Sequence, residues 1–287
     1  MLGVVTLSAL ANALAVIGAK FALSRRKSGG FLFGAIAYTV IGLGGMLIGW
    51  YMSAGSPVLD AKSIYLLAIC AIGFPLAGIT SYYMVKLAGA GNAAVLMVVH
   101  YLFLAAGARI FLGDVLSGFQ IAGAVVLMLS VFFATIASHG SFKKASLITI
   151  SIALLNGLCY FFATPAEKVL ISNWGYAEYA SISLPLQAVG SWVLLFIAAL
   201  ATDIKLYWPT KREYKWSAFS GICMLIGGLL YIYALSNTSL SQAGLASSLK
   251  IIIVAVLSII LFKETSRIWL RMSSLALSIS GLLLLFS

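Results

Sequence analysis

Apolar residues run along this chain in long blocks, interrupted by short polar or charged stretches. Each block is about as long as an α-helix must be to cross the hydrocarbon core of a bilayer, roughly 20 residues. Ten such segments are predicted: 2–22, 31–53, 63–84, 91–111, 117–137, 145–169, 177–201, 216–235, 241–262 and 266–286. Barrel strands would instead show short alternating runs, so the spans are expected to be helices. The longest connection, 202–215, is too small for a domain. The expected fold class is therefore an all-α membrane protein of ten transmembrane helices with no soluble domain.

Composition agrees. The chain has 287 residues, 62% of them apolar and 9% charged, against about 45–50% and 25% in a soluble domain. A soluble chain of this size has no way to hide that much apolar surface. A soluble enzyme, a disordered chain, a collagen-like repeat and a disulfide scaffold are excluded. Cys70, Cys159 and Cys223 lie in apolar blocks at spacings that match no metal or redox motif, so they read as small buried hydrophobes. Met1 runs straight into an apolar segment without a basic leader, so no cleavable signal is expected.

The net charge of +11 has a topological explanation. With ten spans, alternate loops collect Arg25, Arg26, Lys27, Lys86, Lys143, Lys144, Lys205, Lys211, Arg212, Lys215, Lys263 and Arg267 on one side. The other side receives only Lys62, Arg109 and Lys168. Basic loops stay in the cytoplasm, which puts both termini outside and makes a nucleic-acid partner unnecessary. Short loops and short tails suit a prokaryotic plasma membrane.

The chain also matches itself. At an offset of 150 residues, Asn92-Ala93 faces Gln242-Ala243, Ile110 faces Ile260, and Gly113-Asp114 faces Lys263-Glu264. Tyr83 faces Tyr233 and Gly78 faces Gly228, and nearer the starts of the halves an offset of 144 pairs Asn12 with Asn156. The halves, 1–139 and 140–287, would hold five spans each. Five is odd, so tandem copies enter the membrane in opposite senses. The expected architecture is two inverted five-helix repeats around a central cavity, with a substrate site near the midplane, as in transporters.

The segment GDVLSGFQIAGAVVLMLSV, carrying Asp114, Gln120 and Gly123, resembles the acid–q–G signature of EamA domains in the drug/metabolite transporter superfamily. The second copy, FKETSRIWLRMSSLALSISGLLLL, keeps Glu264 and has Ser273 in place of the glycine. The resemblance covers the chain as two copies. It implies a cavity lined mainly by spans 1–4 and 6–9, with spans 5 and 10 at the periphery or in a homodimer contact. Members of that superfamily usually keep both termini in the cytoplasm, the reverse of what the loop charges here indicate.

Seven residues are candidates for the substrate site. Lys250 lies deep in span 9, where a cation costs about 2.5–3.5 kcal/mol on the insertion scale and must face the bundle interior or a cavity. His100, at the same place one repeat earlier, titrates near neutral pH, so a coupled proton is a candidate cargo. Asn12, Asn156 and Gln187 are amides within spans, suited to interhelical hydrogen bonds or to a cavity wall. Tyr83 and Tyr233 sit near span ends, as interface anchors or at the cavity mouth. A purely structural Lys250, capped by backbone carbonyls, is the competing reading. Pro75, Pro165 and Pro185 fall inside spans and suit hinges.

The seven acids, Asp60, Asp114, Glu167, Glu178, Asp203, Glu213 and Glu264, read as lying in loops or at span ends. No mid-membrane carboxylate is expected, which favours an anionic or zwitterionic solute over a cation. The segment SSLKIIIVAVLSIILF also resembles the ninth span of the organic-phosphate and nucleotide-sugar branch, which implies a lysine meeting phosphate. No catalytic set, zinc-ligand pair or phosphate-cradling loop stands in the sequence, so neither an enzyme nor a cofactor is expected. The expectation is a secondary transporter of a small polar organic solute, in contact with membrane lipid. A translocase for a phosphate-headed lipid and a non-transporting membrane scaffold are the alternatives.

Overall fold

A computed structural model of the chain describes residues 2–22, 29–52, 55, 57–113, 117–139, 144–201, 208–238, 243, 247–263 and 267–285. Every regular element among the described residues is an α-helix: α1 Leu2–Ala22, α2 Gly29–Tyr51, α3 Ala61–Ala88, α4 Ala90–Leu96, α5 Val99–Leu112, α6 Gly118–His139, α7 Lys144–Trp174, α8 Tyr176–Ala201, α9 Lys211–Asn237, α10 Leu249–Phe262 and α11 Ile268–Leu285. Eight of them, with α4 and α5 counted as one segment, are long and apolar enough to cross a membrane. α10 and α11 are shorter apolar helices. Asp114, Gln242 and Glu264, used in the repeat alignment, lie outside the described residues.

Local signals set several helix ends. Asp60 caps α3 by accepting from the Ser63 backbone N–H at 2.8 Å. The hydrogen bonds from Ser63 hold the Asp60 carboxyl below its ordinary range. Thr210 and Glu213 form a reciprocal capping box at the start of α9. Between α3 and α4 stands Gly89 at φ 83° and ψ 165°, a conformation essentially reserved for glycine.

Several expected boundaries move: α3 ends at Ala88 instead of 84, α9 starts at Lys211 instead of 216, and α7 ends at Trp174 instead of 169. The sixth span was expected to end at 169, on the charged pair Glu167-Lys168, yet α7 continues to Trp174. The pair does not end the helix because both charges find partners inside the bundle. Lys168 Nζ donates to the carbonyls of Leu235 and Thr238 at 2.5 and 3.1 Å, and Tyr179 donates to Glu167 Oε1 at 3.0 Å. A buried charge with such partners is tolerated where an unpaired one is not.

The helices pack in pairs: α6 on α11, α2 on α8, α1 on α9 and α3 on α7, with α5 also on α7, α2 on α9, α3 on α8, and α10 on α1 and α4. Small residues make the close approaches. On α2, a Cβ added at Gly42 would meet Ala188 Cβ at 2.7 Å, and one at Gly45 would meet the Ala180 carbonyl at 2.8 Å. Absent side chains there let the α2 and α8 backbones approach closely. All seven residues of α4 are buried, at the centre of a cluster with Ala13, Met84, Leu127, Val131, Ile251 and Val254. A second cluster gathers Tyr38, Ile41, Cys70, Leu104, Leu170, Tyr179 and Leu235. The outside is also apolar, with Leu47, Phe119, Met128, Phe196, Leu200 and Ile260 all exposed. Such a surface suits lipid and not water.

Candidate functional site

A cavity of about 160 Å³ lies inside the bundle. Its wall draws on α1 (Asn12), α2 (Tyr38, Ile41), α3 (Phe74), α5 (His100, Tyr101, Leu104), α7 (Tyr160, Thr164, Glu167), α8 (Leu184, Gln187), α9 (Met224, Gly228, Tyr231, Ile232) and α10 (Lys250, with Ser247 just before it). Among the described residues, none of α6 or α11 lines it.

Both titratable candidates, His100 and Lys250, follow a break in helix geometry. α4 and α5 are interrupted at Met97-Val98, where His100 N bonds to Met97 O and Tyr101 N to Val98 O, at 3.1 and 3.0 Å. Ahead of α10, Ile251 N bonds to Ser248 O at 2.9 Å in the same three-residue pattern. Val98 and Ser248 are equivalent positions at the offset of 150. Each tight turn places a polar side chain, His100 or Lys250, on the cavity wall two residues later.

His100 is 4% exposed. Its ring lies 3.9 Å from that of Tyr101 and 4.5 Å from that of Tyr160. Its Nδ1 is buried without a hydrogen-bond partner among the described residues, and so is Thr164 Oγ1. Buried polar atoms are rarely left so, and here both belong to residues that line a cavity. The Lys250 ammonium lies 5.8 Å from the Tyr101 ring centroid, and the Tyr101 hydroxyl is 3.2 Å from Ser247 Oγ. Lys250 has no hydrogen bond or ion pair among the described residues. Lys168 differs sharply, being held by two backbone carbonyls of α9 and the residue after it. The carbonyl-capped structural lysine considered for Lys250 is realised at Lys168.

Four of the seven candidates, Lys250, His100, Asn12 and Gln187, line this one cavity. Asn12 donates to Ser8 O on its own helix at 3.0 Å, and Gln187 donates to Ser183 Oγ at 3.1 Å. The other three lie elsewhere. Asn156 is fully buried and pins α7 to α3, donating to Ala77 O at 2.7 Å and lying 3.0 Å from both Thr80 Oγ1 and Ser81 Oγ. Tyr83 packs edge-on against Phe31. Tyr233 packs edge-on against Tyr176 and is half exposed.

Glu167, expected in a loop or at a span end, is buried inside the bundle. It is 4% exposed, lines the cavity, and lies within the long apolar helix α7. Its neighbours on the same face, Tyr160 and Thr164, were not singled out either. The signal was their spacing: 160, 164 and 167 fall on one helical face. The cavity wall therefore carries both an amine, from Lys250 of α10, and a carboxyl group, from Glu167 of α7.

The fold is similar to that of solved structures. Twenty-four chains of solved structures match it. One, described as "Crystal structure of protein", aligns with a TM-score of 0.63 at 16% identity, over 96% of this chain and 97% of that one. At that identity the likeness concerns the fold alone. No family model matches the chain, and no curated protein matches it.

Proposed function

We propose that this protein is a secondary transporter of the EamA type, moving a small polar organic solute through the central cavity by alternating access. The carrying observation is the cavity itself, which holds Lys250 without a hydrogen bond or ion pair among the described residues, beside His100, whose buried Nδ1 likewise has no partner among them. Lys250 neutralises an acidic group of the solute. His100 binds it from the neighbouring wall or carries a coupled proton. Asn12 and Gln187 supply hydrogen bonds.

In this proposal ten spans form two inverted repeats, 1–139 and 140–287. The helix pairing supports that division. Exchanging α1 with α7, α2 with α8, α3 with α9, α4–α5 with α10 and α6 with α11 turns the α1–α9 pair into α3–α7. It also turns α2–α9 into α3–α8 and α5–α7 into α1–α10, and leaves α2–α8, α6–α11 and α4–α10 unchanged. The equivalent breaks at Val98 and Ser248 support it too. The position of α6 and α11 outside the cavity agrees with the periphery that the EamA resemblance implies.

A thermal-shift screen of the purified protein tests the function. The panel holds phosphorylated metabolites, carboxylates, amino acids, neutral sugars and lipophilic cations. A ligand at 100 times its Kd adds about 2.7 kcal/mol of stability. The expected result is a shift with acid-bearing solutes that Lys250→Ala abolishes. A shift with cations alone, or one unchanged in Lys250→Ala, overturns the role of Lys250. Competition by solubilised lipid phosphates but by no soluble metabolite would favour a lipid translocase instead.

A further inference from the structure

We propose that a groove on the outside of the bundle, between α2, α8 and the start of α9, binds an anionic phospholipid. Its volume is about 730 Å³, against about 160 Å³ for the central cavity. Among the described residues, none lines both. Neighbours on α2 divide between them: Tyr38 and Ile41 line the cavity, while Thr39, Val40 and Leu43 line the groove. The lipid is therefore a resident of the outer wall and not the solute.

The groove is one leaflet deep. Leu32, Ile36 and Leu43 line it from one face of α2. From Leu32 to Leu43 the helix rises about 16 Å, half of a hydrocarbon core about 30 Å thick. That half is the depth an acyl chain fills. Leu195 of α8 packs against Leu32 and Ile36, and Trp192 of the same helix adds a wall. The polar atoms along this stretch are paired with protein. Trp192 Nε1 donates to Thr39 Oγ1 at 2.9 Å, and Thr39 Oγ1 donates to the Ala35 carbonyl at 2.8 Å. No side-chain donor there remains for a polar ligand, and hydrocarbon requires none.

The mouth has the opposite character. Trp208, Lys211 and Tyr214 line it where α9 begins, and all three are exposed. Trp and Tyr rings suit the headgroup level of a bilayer. Lys211 makes no hydrogen bond or ion pair among the described residues, and Lys215 stands one turn on, on the same side of α9. The other charges of that turn are engaged. Arg212 Nε donates to the Phe21 carbonyl of α1 at 3.1 Å. Glu213 folds back to accept from the Thr210 backbone N–H at 2.8 Å. Two lysines thus stand over an apolar slot the depth of one acyl chain. A phosphodiester at the lysines with a chain in the slot satisfies both. A zwitterionic headgroup brings its own cation towards the lysines, so the anionic lipid is favoured.

Native mass spectrometry of the delipidated protein, titrated with dioleoyl phosphatidylglycerol or dioleoyl phosphatidylcholine, tests this. Wild type is expected to bind the glycerol lipid about fivefold or more tightly than the choline lipid. Lys211→Gln combined with Lys215→Gln should abolish that preference. Leu43→Trp, which crowds the deep end, should weaken both lipids. Glycerol 3-phosphate, which has no acyl chain, should not displace the glycerol lipid, and Lys250→Ala should leave its binding unchanged. Equal affinity of wild type for the two lipids overturns the site. So does a preference that survives loss of both lysines, or lipid affinity unchanged in Leu43→Trp. Displacement by glycerol 3-phosphate would mean a site for free phosphate and overturns the lipid. Loss of lipid binding in Lys250→Ala would put the lipid in the central cavity, which overturns the groove and favours the translocase.

Discussion

Two lysines, both inside apolar stretches, do different work because of what lies within reach of each ammonium. Lys168 donates to the carbonyls of Leu235 and Thr238, tying α7 to the end of α9. Lys250 faces the cavity with only an aromatic ring nearby. Lys168→Met leaves the two carbonyls without that donor. It is expected to lower stability by about 1–3 kcal/mol while leaving ligand affinity unchanged, as measured by thermal unfolding with and without ligand. Lys250→Met is expected to do the opposite. That Lys250 and His100 line one cavity was legible, since both sit inside spans at a fixed offset. The partners of Asn156 were not, because amides at 12 and 156 are equivalent in sequence and differ only in what α3 and α9 present to them. Glu167 was misread for a related reason. A charge near a span's end looks like a boundary until the Tyr179 hydroxyl facing it is known.

Helix existence and order could be read directly from the apolar blocks, because in lipid every backbone group must be paired within its own segment. Two features at this level could not. The breaks at Val98 and Ser248 carry no proline or glycine to announce them. The extension of α7 to Trp174 depends on tertiary partners. Close packing is the part of the element account most open to test. A Cβ added at Gly190 of α8 would strike the Ala71 carbonyl of α3, whose backbone has no flexible end to move aside. Gly190→Ala is therefore expected to destabilise by about 1–3 kcal/mol, as overpacked contacts do. Gly228→Ala, with open space around the added atom, serves as the control for thermal unfolding. Equal melting temperatures for the two variants would contradict the packing described for α3 and α8.

For the whole molecule, the apolar surface and eight long apolar helices are compatible with an integral multi-pass membrane protein. Its orientation rests on loop charge, with twelve cations assigned to one side and three to the other. The expected outcome is that reporters fused at either terminus are active only outside the cytoplasm. Cytoplasmic activity at both ends would reverse the orientation while leaving the cavity as described. The central claim is that the cavity carries solute, and exchange across a sealed bilayer tests it most directly. Proteoliposomes preloaded with an unlabelled ligand found by titration are diluted into the labelled form, with wild-type protein and with Lys250→Met. Saturable counterflow in wild type that is lost in the variant is predicted. Label uptake no faster than in protein-free liposomes, or counterflow of unchanged affinity in Lys250→Met, would contradict it.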